Sequence, residues 1–154
     1  MVLAIDPGNV ESAFVLIDDE YRPIKFDKMD NFKLKYFLTI LLPKYKPEVV
    51  IEMIGHYGTG MAAGKTVFDT CLWIGRFIEV VEGHVKDATL MLRKDVKINL
   101  CGQMKAKDAN ISQYLRDRFG EKGTKANPGW FYGFKADIWQ AYALGVAYMD
   151  TKNG

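Results

Sequence analysis

Three acids in this chain stand where acids are costly. Asp6 closes the apolar run VLAI and precedes Pro7-Gly8; Glu52 lies inside VVIEMI; Asp137 opens the stretch DIWQAYALGVAY. A buried carboxylate is expensive unless it is paired, hydrogen-bonded or bound to a cation. For Glu52 one reading is an edge position or a salt bridge to a lysine. The other is metal ligation by the three acids together. Hard divalent ions such as magnesium prefer carboxylate oxygens, and two such ions roughly 4 Å apart can clamp a phosphodiester.

A second stretch, GHYGTGMAAGKT at residues 55–66, ends like a phosphate-binding loop. Such a loop needs four residues between its first glycine and Gly-Lys-Ser/Thr. Counting back from Gly64, that position is Thr59; Gly58 is one residue too early and Gly60 one too late. Nucleotide binding is therefore rejected there, and no nucleotide cofactor is expected.

The elements that must position the acids follow from apolar patterning. Residues 2–5 form a short apolar run ending at Asp6, 12–17 a second, and 24–29 a weakly alternating third, with turn residues Pro7-Gly8-Asn9 and Asp18-Asp19-Glu20 between them. Three strands joined by tight turns make an antiparallel meander. Asn31 is a plausible helix N-cap for 32–42, and Pro43 and Pro47 end that helix. Residues 48–54 read as a buried central strand and 88–92 as another. Helices are expected over 65–81, 95–100, 108–119 and 137–149. The order β-β-β-α-β-α-β-α-α-α predicts an α/β fold: a mixed five-stranded sheet, antiparallel then parallel, with helices on both faces.

Two features go beyond the fold. On the helix 65–81 the charges Lys65, Asp69, Arg76 and Glu79 fall near one narrow stripe, and apolar residues cover most of the rest. So wide an apolar surface suggests burial on two sides, one against the core and one against a partner subunit or a larger core. The loop 120–134 carries Trp130, Phe131, Tyr132 and Phe134, which either pack over the core or stack on nucleic-acid bases.

The chain has 154 residues, 49% hydrophobic and 26% charged, which fits one domain over 1–154. No apolar run approaches the roughly 20 residues of a membrane span, and the start MVLAIDPGN is not a signal peptide. Cys71 and Cys101, in apolar surroundings without CxxC spacing, read as reduced core thiols of a cytoplasmic protein. Net charge is only +2, yet Arg93, Lys94, Lys97, Lys105, Lys107, Arg116, Arg118, Lys122, Lys125 and Lys135 concentrate in the second half. That distribution fits either solvated helix faces or an enzyme that binds a polyanion.

The segments AIDPGN, VVIEMI and DIWQAYALGVAY, in this order, resemble the three active-site segments of RuvC-type Holliday-junction resolvases, which have the RNase H-like fold. VKINLCGQMKAKDANI resembles the family's DNA-bordering region. The likeness spans nearly the whole chain and looks closest to the divergent branch carried by phages of Gram-positive bacteria, which implies the cytoplasm of a bacterial host.

The resemblance implies a crossover junction endonuclease that hydrolyses phosphodiesters with two magnesium ions, manganese substituting, and leaves 5′-phosphate and 3′-hydroxyl ends. By the same resemblance Asp6, Glu52 and Asp137 are metal ligands, Asp6 bridging the two ions. Gln140 stands where the family usually has a second aspartate, one turn after Asp137 on the same helix face. Lys97 matches a family lysine; the later one falls on Asp108, with Lys107 beside it. Lys97, Lys105 and Lys107 are then expected on DNA phosphates. The glycine-rich loop becomes a DNA-facing loop, with Lys65 as a further contact. The implied partners are four-way and other branched DNA and a second copy of the chain, since two symmetric cuts need two sites.

Two alternatives remain at this level. One is a catalytically weak or inactive branched-DNA-binding protein, which Gln140 permits. The other is an ATPase of the actin type, which shares the RNase H-like core and an Asp-x-Gly loop. Its duplicated domains need about twice this length.

Overall fold

Side-chain alternation along five strands splits the core into two layers. The computed structural model describes residues 1–55 and 64–154. The sheet contains β1 (Val2–Asp6), β2 (Glu11–Ile17), β3 (Pro23–Asp30), β4 (Glu48–Met53) and β5 (Ala88–Leu92), in the order β3-β2-β1-β4-β5. β1 pairs antiparallel with β2, and β2 with β3; β4 runs parallel to both β1 and β5. This is the mixed sheet the sequence predicts.

Successive strand residues point to opposite faces. Leu3, Ile5, Phe14, Leu16, Val49 and Ile51 therefore lie under α1 (Asn31–Tyr45) and α2 (Lys65–Glu82). Ala4, Ala13, Val15, Ile17 and Val50 face the other way, toward α3 (Arg93–Cys101), α4 (Asp108–Phe119) and α5 (Ile138–Asn153). α5 lies directly on β1 and β2. A Cβ at Gly145 would come within 2.3 Å of Ile17 Cδ1 and 3.2 Å of Ala4 Cβ. Any larger residue there would force Ile17 to another rotamer and push Ala4 and the helix slightly apart. Among the described residues no helix is long and apolar enough to cross a membrane.

Several local expectations are corrected. Asp30, rather than Asn31, caps α1: its carboxylate accepts from the backbone N–H of Phe32 at 2.8 Å. Asn31 is the first helical residue and is buried, because its side chain has another task described below. Pro43 does not end α1. The helix runs on to Tyr45 and stops at Lys46, whose left-handed backbone (φ 46°) turns the chain. Phe131 and Phe134 are fully buried, and Trp130 stacks on Phe119 while its indole N–H donates to Tyr142. These aromatics pack over the core. Tyr132, 43% exposed, is the member of the group that faces solvent. Cys71 and Cys101 are free thiols, but each is only partly buried.

Candidate active site

The parity of the sheet carries the two strand acids to one face. Asp6 follows Ala4 by two residues and Glu52 follows Val50 by two, so both carboxylates belong to the α5 side. The register Ile5↔Ile51 brings Asp6 beside Glu52 at the C-terminal ends of neighbouring parallel strands. The N-terminus of α5, with Asp137 as its cap residue, is laid over this end of the sheet.

The turn after Asp6 is held rigidly. Gly8 N–H donates to Ser12 Oγ at 3.0 Å, Ser12 Oγ donates to Asn31 Oδ1 at 2.6 Å, and Asn31 Nδ2 donates to Gly8 O at 2.9 Å. Ser12 and Asn31 are both 1% exposed. A Cβ at Gly8 would lie 2.3 Å from Glu11 O, so the turn requires glycine there. The closed ring of bonds fixes where β1 ends, and with it Asp6.

Two cations enter the acid cluster. Arg93, the first residue of α3, donates through Nη1 to Glu52 Oε1 at 3.4 Å and through Nη2 to Gln140 Oε1 at 2.8 Å; Nη2 also donates to Asp108. Lys28 Nζ is 2.8 Å from Asp137 Oδ2. Lys28 belongs to the same cross-strand row as Asp6, since Asp6 pairs with Ala13 and Ala13 with Lys28. The methyl group of Ala13 leaves room for Lys28 to reach over to α5.

The electrostatics follow from this crowding. Burial pushes the Asp6 carboxyl up to about 8; Glu52 and Asp137 act in the same direction, and Arg93 opposes them. Burial also raises Glu52, again against the pull of Arg93. The two neighbouring carboxyls thus both sit above the usual carboxylate range, Asp6 the further of the two. The hydrogen bond to Asp137 raises the Lys28 ammonium.

As they stand, the acids do not converge on one point. Among the described residues no three acids, histidines or cysteines are arranged around a common centre. Asp137 is turned to Lys28 and Glu52 to Arg93. The donor chemistry nonetheless fits a hard divalent cation beside Asp6, Glu52 and Asp137, because all three offer carboxylate oxygens and burial makes the charges of Asp6 and Glu52 costly without a cation. On the Gln140 side of Glu52 the space is taken by the Arg93 guanidinium.

The fold has clear counterparts. Thermus thermophilus RuvC, in complex with Holliday junction substrate, superposes with a TM-score of 0.75 at 15% identity, covering 99% of this chain and 95% of that one. A second T. thermophilus RuvC structure gives 0.70 at 17% identity over 99% and 96%. The fowlpox virus resolvase with Holliday junction DNA gives 0.60 at 12% identity over 98% and 99%. The chain has the RuvC fold. No family model matches the sequence, and no curated protein matches it significantly.

Within this RuvC fold the basic candidates divide. Lys97 lies one turn beyond Arg93 on the same face of α3 and is partly buried. Lys105 and Lys107 are exposed on the link into α4, and Lys107 adjoins Asp108, the anchor of Arg93. None of the three makes a salt bridge among the described residues. Lys65 is exposed at the start of α2 and pairs with Asp69 at 2.6 Å, a contact easily exchanged for a phosphate. The glycine-rich loop expected to face DNA lies, over 56–63, outside the described residues.

Gln140 is 8% exposed and reaches the cluster as its spacing from Asp137 predicts, although its oxygen meets Arg93. Arg93 and Lys28 were not among the expected site residues. Lys28 is found only once strand register is known. For Arg93 a signal existed: it precedes Lys97 by one helical turn and directly follows a strand that runs parallel to the one bearing Glu52.

Proposed function

We propose that this chain is a structure-selective endonuclease, one domain over 1–154, that cuts Holliday junctions and related branched DNA. The observation that supports the reading is that Asp6, Glu52, Asp137 and Gln140 all lie at one end of a RuvC-type sheet, although the acids are turned to different cations. The likeness to two resolvases bound to junction DNA supports it.

In this reading Asp6, Glu52 and Asp137, once ionised, hold magnesium, with manganese able to replace it. A bound divalent ion supplies Lewis-acid stabilisation of phosphate oxygens and a more acidic water. Water adds to phosphorus, the bond to the 3′ oxygen breaks and that oxygen takes up a proton; the ends are a 5′-phosphate and a 3′-hydroxyl. Lys97, Lys105, Lys107 and Lys65 contact phosphates, which gives affinity and salt dependence without base specificity. Asp137 would exchange Lys28 for the cation, and Asp6 would hold it in its ionised form.

A homodimer completes the assembly. The inner side of α2 is buried through Trp73, Ile74, Phe77 and Val81, while Phe68 and Leu72 on its outer side are 60% and 65% exposed. Neighbouring α1 adds exposed Phe32, Tyr36 and Ile40, one turn apart on one face. This apolar surface suits a second copy, which would supply the second site for a symmetric junction.

The test is cleavage of an end-labelled four-way junction with magnesium. Asp6→Asn should abolish cutting and leave junction binding within about threefold. Normal cutting by both Asp6→Asn and Glu52→Gln would show the site to be wrong. Binding without any cutting by the unmodified chain would instead indicate a junction-binding protein.

A further inference from the structure

Resting on the nuclease reading, we propose that Arg93 is a catalytic residue that stands in for a second cation: the site takes one divalent ion, and the guanidinium faces the scissile phosphate. Three elements hold Arg93 in place. Glu52 on β4, Asp108 at the start of α4 and Gln140 on α5 all accept from it. Its side chain is only 23% exposed, less than the 66% of Asp108, so the guanidinium points inward. This is unlike a surface ion pair, in which both partners are solvated.

Charge explains why a second ion is excluded. On the side of Glu52 away from Asp6, a second divalent ion would meet Glu52, Asp108 and the neutral amide of Gln140, where the fixed charge of Arg93 already pairs with both carboxylates. Two positive centres within about 4 Å repel by several kcal/mol at a surface-like dielectric. Gln140 is suited to this arrangement, because its amide oxygen accepts from Arg93 without adding charge. A carboxylate there would draw the guanidinium into a tighter pair or favour a metal ion.

The guanidinium keeps capacity for substrate. It has five N–H donors in a rigid fork. Three are used by Glu52, Asp108 and Gln140. The remaining two have no partner among the described residues and are available to phosphate oxygens. Arg93 neither gives nor takes a proton in the reaction. It acts by placing positive charge where the phosphoryl group gains negative charge, the kind of contact whose removal lowers kcat by about 10²–10³-fold.

Counting bound manganese by electron paramagnetic resonance, without DNA and at pH 9, tests the first half. The unmodified chain should bind one Mn²⁺, Asp6→Asn none, and the double variant Arg93→Ala/Gln140→Asp two. Two ions on the unmodified chain would overturn the proposal. Junction cleavage tests the second half. Arg93→Ala should lower kcat at least 100-fold with junction affinity changed less than about threefold, and Arg93→Lys should not restore it, because an ammonium cannot span three acceptors. Arg93→Lys also guards against misfolding, which circular dichroism of both variants would reveal. Full activity of either variant would overturn the catalytic role. If the unmodified chain cuts no branched DNA, the nuclease reading fails while the manganese count still decides the number of ions.

Discussion

Asp6→Asn should remove a pH dependence from folding. In the folded chain without metal the Asp6 carboxyl is pushed up to about 8, from 3.8 in an unperturbed aspartate, by burial and by Glu52 and Asp137. Between those values the folded chain holds a proton that the unfolded chain has released. Stability contributed by the neutral group is complete below pH 4 and is lost as pH rises toward 8. From pH 5 to pH 8 each pH unit removes about 1.4 kcal/mol, or about 4 kcal/mol in all. Reorientation of Arg93 and Lys28 toward the new charge should reduce the loss to about 2–4 kcal/mol. Asparagine copies the shape of the neutral acid and cannot ionise. Urea unfolding in EDTA at pH 5, 6, 7 and 8 measures the effect in both proteins. The unmodified chain should lose about 2–4 kcal/mol more than Asp6→Asn across that range. Parallel stability curves, differing by less than about 0.5 kcal/mol between the end points, would refute the idea that Asp6 is a crowded, protonated acid.

Two further outcomes test the DNA contacts and the assembly. Replacing Lys97, Lys105 and Lys107 together by alanine should weaken junction binding and reduce the slope of log affinity against log salt by about 2–3, as fluorescence anisotropy at several salt concentrations would show. Leu72→Glu places a charge on the apolar outer face of α2 and should convert a dimer to a monomer in sedimentation analysis with little change in melting temperature; an unchanged dimer would move the interface elsewhere.

How far the sequence reached depended on the range of the information. Asp6 and Glu52 stand out because each interrupts an apolar run, and the cost of burying a carboxylate is a local property; Asp137, half-exposed, stands out only by its place at the start of the last helix and by the family resemblance. The sheet was legible because strand periodicity and turn residues are local too. β5 (Ala88–Leu92) has the expected bounds, and the order of elements is the expected one. Asn31 was misread as a cap because Asp30, one residue earlier, competes for the same role. What displaced Asn31 was its bonds to Ser12 and Gly8, residues brought near only by the meander. The width of the apolar surface of α2 suggests burial on two sides; in the single chain one side is buried while Phe68 and Leu72 on the other are exposed, and the burial of Phe131 and Phe134 was one of two open readings.

The sequence by itself determined that acids would line the ends of a mixed α/β sheet, since side-chain type and period are written along the chain. Only the tertiary structure decided how those acids are balanced. Lys28 reaches Asp137 across 109 positions of sequence, and Arg93 joins Glu52 to Gln140 across 41 and 47. No local pattern encodes such pairings. They exist because strand register, the small side chain of Ala13 and the close approach of α5 bring distant charges within hydrogen-bond distance, where burial makes each of them costly alone.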